Sequence, residues 1–276
     1  MTDFRQIVSQ FYDQRARRDI VNDLIYEGSN FLNVGYWREG TSGAREACEN
    51  LMEELLARIP EKRGKILDVA CGKGGTTRYL CNYYDPADVV GINISAEQLE
   101  KCRAIAPGCT FLEMDATKMD FPDSSFDNIV SVEAAFHFDT REKFLNEAFR
   151  VLKDGGRLVM TDIIMPQDFS RQPHANVLED IDAYKAVCRR ANFADIEVLD
   201  VTEPCMSGAF EHLGLFLRQR LPWLSTRPGF IERIARSLES EWGDRIYILV
   251  ACPKPARNKA RAGPSRAPRR AKRPDA

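Results

Sequence analysis

The stretch Ile66-Leu67-Asp68-Val69-Ala70-Cys71-Gly72-Lys73-Gly74-Gly75 constrains this chain more than any other. An apolar, partly β-branched run carries a carboxylate, and a loop of small residues follows it. From Thr76 to Tyr84 the composition turns helical. Strand, glycine-rich turn and helix N-terminus together let the backbone approach a ligand closely.

Downstream of this loop the chain keeps alternating strand with helix. Strands are expected at Lys65–Val69, Asp88–Ile92, Thr110–Glu113, Asn128–Val132, Arg157–Ile163, Ile196–Val201 and Arg245–Ala251. Ser95-Ala96-Glu97-Gln98 is a capping box, so a helix starts there and ends before Pro107. Further helices are expected at Lys143–Leu152, closed by Lys153-Asp154-Gly155-Gly156, and at Val177–Ala191. Strand alternating with helix predicts an α/β fold with a doubly wound, mostly parallel, seven-stranded sheet.

Ahead of this core, Phe4, Ile7, Val8, Phe11 and Tyr12 share one face of a helix over Phe4–Arg18. The aromatic segment Phe31–Trp37 has no helical period. A second helix runs from Ser42 to Ile59, striped by Ala47, Leu51, Leu55 and Ile59 and stopped by Pro60. After strand 5, Met165–Asn176 reads as a loop and Pro204–Glu241 as two helical stretches. The expected division is an N-terminal helical lid at 1–60, the core at 61–252 with cap elements in 165–241, and a disordered basic tail at 253–276.

Charge narrows the partners. The tail holds nine Lys or Arg and one Asp, a net of +8, and the whole chain carries −2, which leaves −10 on the rest. A body this acidic argues against nucleic acid as a partner. No apolar run reaches the roughly 18–20 residues that span a membrane, and the start Met1-Thr2-Asp3-Phe4-Arg5 lacks an apolar signal core. Eight cysteines without a C-x-x-C pair read as reduced thiols. A cytoplasmic protein without a membrane partner is the expectation.

Three ligand types compete for the glycine loop. A nucleoside-triphosphate loop needs G-x-x-x-x-G-K-[ST], which is absent. The dinucleotide fingerprint needs a third glycine at position 77, which is Thr77. The remaining pattern is acid-x-G-x-G-x-G, here Asp68-Val69-Ala70-Cys71-Gly72-Lys73-Gly74, with Ala70 in place of the first glycine. This resembles motif I of class I S-adenosylmethionine-dependent methyltransferases. The resemblance extends from about Leu32 to Asp162 through Asn33-Val34-Gly35-Tyr36-Trp37, Val89–Ser95, Met114-Asp115-Ala116, Pro122, Phe126 and Asp127, and Leu152–Gly156. It implies a Rossmann-like methyltransferase fold with S-adenosyl-L-methionine as cofactor. It assigns cofactor contacts to Tyr36, Asp68, Ala70, Cys71, Gly72, Gly74, Asn93, Ile94, Gln98, Asp115, Ala116 and Glu133. Asn93 departs from the pattern, since the family usually places an acid on the ribose hydroxyls there. Asp68 is expected to order the loop and the ammonium end, and Tyr36, with the preceding helix and its Tyr12, to close over the amino-acid end.

Methyl transfer from a sulfonium asks the protein for alignment and a dry cavity, and a hydroxyl acceptor asks also for a base. Strand 4 runs into Glu133-Ala134-Ala135-Phe136-His137, and strand 5 ends in Thr161-Asp162. In similar natural-product and sugar O-methyltransferases a histidine in this segment serves as the base. His137 is therefore expected to be the general base and Asp162 its partner. Ile163-Ile164 after Asp162 lacks the Asp-Asn pair of metal-dependent relatives, so no metal is expected. His174 and His212 read as surface or core residues, with His212 a candidate lining residue of a substrate cavity. The acceptor should be small and partly apolar, because cap residues such as Phe169, Phe210, Leu213, Phe216 and Trp223 are apolar. The expected activity is O-methylation of a polyketide, glycosylated product or lipid-like natural product. C-methylation of a sterol- or terpenoid-like substrate and cofactor binding without transfer stay open as alternatives, as does the oligomeric state.

Overall fold

The computed structural model describes residues 26–165, 176–220 and 242–256, with single positions at 229, 233, 237 and 240. The expected helix at Phe4–Arg18, with Tyr12, lies outside the described residues. So do most of the loop after Met165, with His174, much of the second cap stretch, and the tail beyond Ala256.

Seven strands form one sheet: β1 (Ile66–Val69), β2 (Val89–Asn93), β3 (Thr110–Glu113), β4 (Phe126–Val132), β5 (Leu152–Ile164), β6 (Glu197–Asp200) and β7 (Ile246–Pro253). Their order is β3-β2-β1-β4-β5-β7-β6. The first five pair in parallel, and β7 runs antiparallel between β5 and β6. The doubly wound, mostly parallel sheet expected from the sequence is present. Strand order reverses between β1 and β4, and that crevice is where open α/β sheets bind ligands.

Both faces of the sheet are covered, and the strand residues alternate between them. Leu67, Ile129, Leu158, Met160, Ile248 and Val250 pack with α4 (Arg141–Val151) and α5 (Ile181–Arg190). Ile66, Val130, Val159, Leu249 and Ala251 pack with α1 (Ala44–Leu56) and α2 (Gly75–Leu80). This two-sided burial explains why the central strands read as continuous apolar runs. On α1 the buried residues include Ala47, Cys48, Leu51, Met52, Leu55 and Leu56, the expected stripe widened by its neighbours. Beyond β2, α3 (Ala96–Ile105) closes the edge through Leu99 and Cys102 against Phe111.

Element ends follow local chemistry. Ser95 Oγ accepts from the Gln98 amide and starts α3, as the capping box predicts. Asp180 accepts from the Ala183 amide, which delays α5 to Ile181 from the expected Val177. The expected turn Lys153–Gly156 is instead the irregular start of β5. There Gly155 has φ +80°, and its amide donates to Lys254 O at 3.0 Å. Lys254 is buried, and its Nζ donates to Phe149 O and Leu152 O at 2.9 and 2.7 Å. The fold therefore extends past Pro253, where the sequence placed the start of the tail. A π-helical turn, Glu203–Ser207, leads into α6 (Gly208–Arg220) and has no sequence signal.

Candidate active site

The site is built at the carboxyl ends of β1, β2, β3 and β4. Asp68, inside β1, is almost fully buried, and its Oδ2 accepts hydroxyl hydrogen bonds from Thr76 (2.7 Å) and Thr77 (2.6 Å) at the start of α2. This fastens the helix to the strand across the glycine loop. Burial pushes the Asp68 carboxyl up to about 6, against the two threonines, which pull it down.

Within the loop, Ala70, Gly72 and Gly74 all take left-handed backbone conformations, with φ +59°, +54° and +90°. Ala70 is the residue that pays for this with its Cβ, at about 1 kcal/mol. A Cβ on Gly74 would stand 3.1 Å from Cys102 Cα, and one on Gly75 would stand 2.7 Å from the backbone of Asn30 and Phe31. A Cβ on Gly72 would stand 3.0 Å from the Leu32 side chain. The segment before Trp37 thus lies directly on the loop. Cys71 is buried, its amide donating to Ile92 O at 3.1 Å.

At the end of β2, Asn93 braces the same loop. Its Nδ2 donates to Gly72 O (3.3 Å) and to Gln98 Oε1 (2.7 Å), and its Oδ1 accepts from the Ser95 amide (3.2 Å). Asn93 and Gln98 are buried and Ile94 is half-buried. After β3, Ala116 is buried and Asp115 is half-buried, with Asp115 Oδ1 accepting from the amide and hydroxyl of Thr117 at 2.8 Å each.

The Asn33–Trp37 segment is joined to the core by Glu133. This residue has φ +51° at the end of β4, and its Oε1 accepts from the Val34 amide (2.7 Å) and from Tyr247 OH of β7 (2.6 Å). The Tyr36 amide donates to Ala47 O at 2.8 Å, and Trp37 stacks on His212 with ring centroids 4.8 Å apart. Tyr36 is half-buried, and burial followed by the nearby Glu54 raises its hydroxyl. Next to Val34, Asn33 is buried, and among the described residues its Nδ2 has no hydrogen-bond acceptor.

His137 is half-buried on the short turn Ala135–His137 and packs on Phe136, ring centroids 4.0 Å apart. Asp162 is buried in β5. Its Oδ2 accepts from Arg141 Nε (2.6 Å) and Tyr184 OH (2.9 Å), and its Oδ1 from the amides of Ile163 (2.8 Å) and Phe136 (3.1 Å). The carboxylate thus holds the turn that carries His137 by its backbone. Nothing in the sequence singles out Arg141, Tyr184, Asn176 or Tyr247. Arg141 opens a charged helix start, Asp139-Thr140-Arg141-Glu142, which gives no hint of burial. Asp127, by contrast, lies near the amino end of β4, at the opposite end of the strands from the site. Its Oδ2 accepts from the Lys65 amide (2.8 Å) and Lys153 Nζ (2.7 Å) and locks β4 beside β1.

The residues suit a nucleoside carrying an amino-acid end. A small-residue loop with three left-handed positions gives the close approach, Asp68 and Asp115 are acceptors, and Asn33 has a buried donor with no acceptor among the described residues. Among the described residues, no group of three or more His, Cys, Asp or Glu is placed to hold a metal ion, and no helix is long and apolar enough to cross a membrane.

Comparison with known proteins agrees with this geometry. A family model described as a methyltransferase domain matches residues 67–160. The chain is 30% identical to the methyltransferase GfsG of Streptomyces halstedii, over 91% of this chain and 95% of that one. It is 28% identical to erythromycin 3''-O-methyltransferase of Saccharopolyspora erythraea, over 85% of this chain and 86% of that one. Among solved structures, the [4+2]-cyclase SpnF superposes with a TM-score of 0.72 at 21% identity, over 92% and 97% of the two chains, which is a likeness of fold. Sheet order, glycine loop and a relative matched along nearly its whole length lead to one conclusion: the chain belongs to the class I S-adenosylmethionine-dependent methyltransferases.

Proposed function

We propose that this enzyme methylates a hydroxyl of a small, partly apolar natural product, with His137 as the general base. The observation that carries the reading is the placement of His137: half-buried, at the carboxyl end of β4, on a turn whose backbone is tied to Asp162. Its similarity to erythromycin 3''-O-methyltransferase supports oxygen as the acceptor atom and a polyketide or glycosylated product as the class.

In this reading Asp68, Ala70, Cys71, Gly72 and Gly74 cradle the cofactor's amino-acid end, with Tyr36, Asn33 and Glu133 on the lid side. Asn93, Ile94 and Gln98 stand at the ribose, and Asp115 and Ala116 at the adenine. Bound there, S-adenosylmethionine would supply an electrophilic methyl group on a sulfonium, its S–CH3 bond breaking on transfer to leave the neutral thioether S-adenosylhomocysteine. His137 takes the proton of the acceptor hydroxyl, so that the oxygen attacks as its O–H bond breaks. Asp162 keeps the turn in register from behind, a positioning task, because both its oxygens already accept from Arg141, Tyr184 and backbone amides. The lid formed by Asn33–Trp37 keeps water from the reacting centre.

The test is a panel of macrolides, phenolic polyketides, glycosylated products and fatty acids incubated with methyl-labelled S-adenosylmethionine and read by mass spectrometry. A methylated oxygen on one panel member is expected. His137→Ala should lower kcat about 10²–10⁴-fold while cofactor affinity by calorimetry is unchanged. Full turnover by His137→Ala would remove the base assignment, and a methylated carbon would replace the O-methyl reading.

A further inference from the structure

The buried groups behind the His137 turn form a connected set. Arg141 is 2% exposed, and Asp162 and Asn176 are fully buried. A guanidinium this deep is costly unless every donor is used. Arg141 Nε donates to Asp162 Oδ2 (2.6 Å), Nη2 to Ile163 O (2.7 Å) and Nη1 to Asn176 O. The Arg141 amide donates to Asn176 Oδ1 at 2.8 Å. Asp162 and Asn176 then each reach one residue beside His137. Asp162 Oδ1 accepts from the Phe136 amide (3.1 Å), and Asn176 Nδ2 donates to Phe138 O (2.7 Å).

His137 therefore sits between two backbone groups that are pinned by two side chains, and one arginine fixes both side chains. A buried ion pair is weak evidence for stability, since well-packed apolar residues often replace one without loss. Here its hydrogen bonds converge on a single turn, so what they specify is the direction of one imidazole. We propose that Arg141 and Asn176 are positioning residues for His137, acting through Asp162 and through the backbone on either side of the ring. This rests on the reading of His137 as the base.

The experiment uses full-length protein with S-adenosylhomocysteine bound and histidine labelled at Cε1. The chain has three histidines, so His137→Ala assigns the His137 signal directly. In Asn176→Ala, the His137 signal and its titration midpoint should move while those of His212 hold. With the acceptor found by the substrate panel, kcat should fall about 10–100-fold and the KM for S-adenosylmethionine should stay within about twofold. In a His137→Ala background the same change should cost no further rate. Asn176→Asp keeps the acceptor for the Arg141 amide but replaces the donor to Phe138 O with a carboxylate oxygen, so it should also displace His137. Arg141→Lys repeats the test from the other end. An unmoved His137 signal in folded Asn176→Ala, or an equal loss of rate with and without His137, would overturn the positioning role. Activity retained in His137→Ala alone is a different result, which removes the base and with it the ground for this proposal.

Discussion

Asp68→Asn is expected to make the protein more stable and a poorer cofactor binder, and the gain should depend on pH. Both threonine hydroxyls converge on one carboxylate oxygen. An asparagine carbonyl can take that place and keep both bonds without a buried charge. Burial raises the Asp68 carboxyl from 3.8 to about 6, with Thr77 and Thr76 opposing. Between those values the native state holds a proton that the unfolded chain has released. The stability this group contributes is therefore complete below about pH 4 and is lost as pH rises through about 6. A gap of about two units is worth about 3 kcal/mol, at about 1.4 kcal/mol per unit.

Urea unfolding of native enzyme and variant, followed by tryptophan fluorescence at steps from about pH 4 to about pH 7.5, reads this directly. All other titrations are common to both proteins and cancel in the difference. The variant should gain on the native protein by up to about 1.4 kcal/mol per pH unit, levelling above pH 6 at about 3 kcal/mol in total. A difference that is flat across the range, or that favours the native protein as pH rises, would refute the account of Asp68. Calorimetry at neutral pH should show weaker S-adenosylmethionine binding by the stabilised variant, as expected where a site retains a destabilising group for function.

Two further outcomes test the braces around the loop. Tyr247→Phe removes one of the two donors that Glu133 Oε1 receives, so it should cost about 1–3 kcal/mol in unfolding free energy and raise the KM for S-adenosylmethionine more than it lowers kcat, measured by initial rates. Asn93→Asp should weaken both stability and cofactor affinity, because it sets a carboxylate oxygen against Gly72 O and Gln98 Oε1. Thermal unfolding and calorimetry check it, and an affinity equal to that of the native enzyme would count against the brace.

The architecture was legible where local chemistry and tertiary structure agree. β3 lies at the expected residues, and β1 and β2 begin one residue inside theirs. The capping serine accepts the amide that the S-x-x-Q pattern predicts, and the α1 stripe reflects the apolar period that the sequence displays. Where tertiary contacts decide, the sequence was silent. The Lys153–Gly156 stretch has turn composition, yet it is drawn into the sheet because Lys254 arrives from the far end of the chain. Arg141 looks like one more surface charge at a helix start. Its burial depends on Asp162, Ile163 and Asn176 meeting it in space. Glu133 reads from the sequence as a ligand contact, and the contact that could not be foreseen is with Tyr247, 114 positions away.

Asn93 shows how a departure from a family pattern can be a requirement of its surroundings. An acid at this position accepts hydrogen bonds and donates none. In this chain the side chain faces two oxygens, Gly72 O and Gln98 Oε1, and one amide, that of Ser95. Only an amide supplies two donors and an acceptor in that arrangement. Turning the Gln98 amide over would offer a carboxylate one donor, but the Gly72 carbonyl would still face it and cannot donate. Asn93, Gln98 and the capping serine therefore work as one unit that fixes the Gly72 carbonyl. Both donors are committed, which leaves Asn93 one lone pair on Oδ1. In the proposed reading a ribose would then be met by a neutral acceptor, where the family's usual acid would offer a charge.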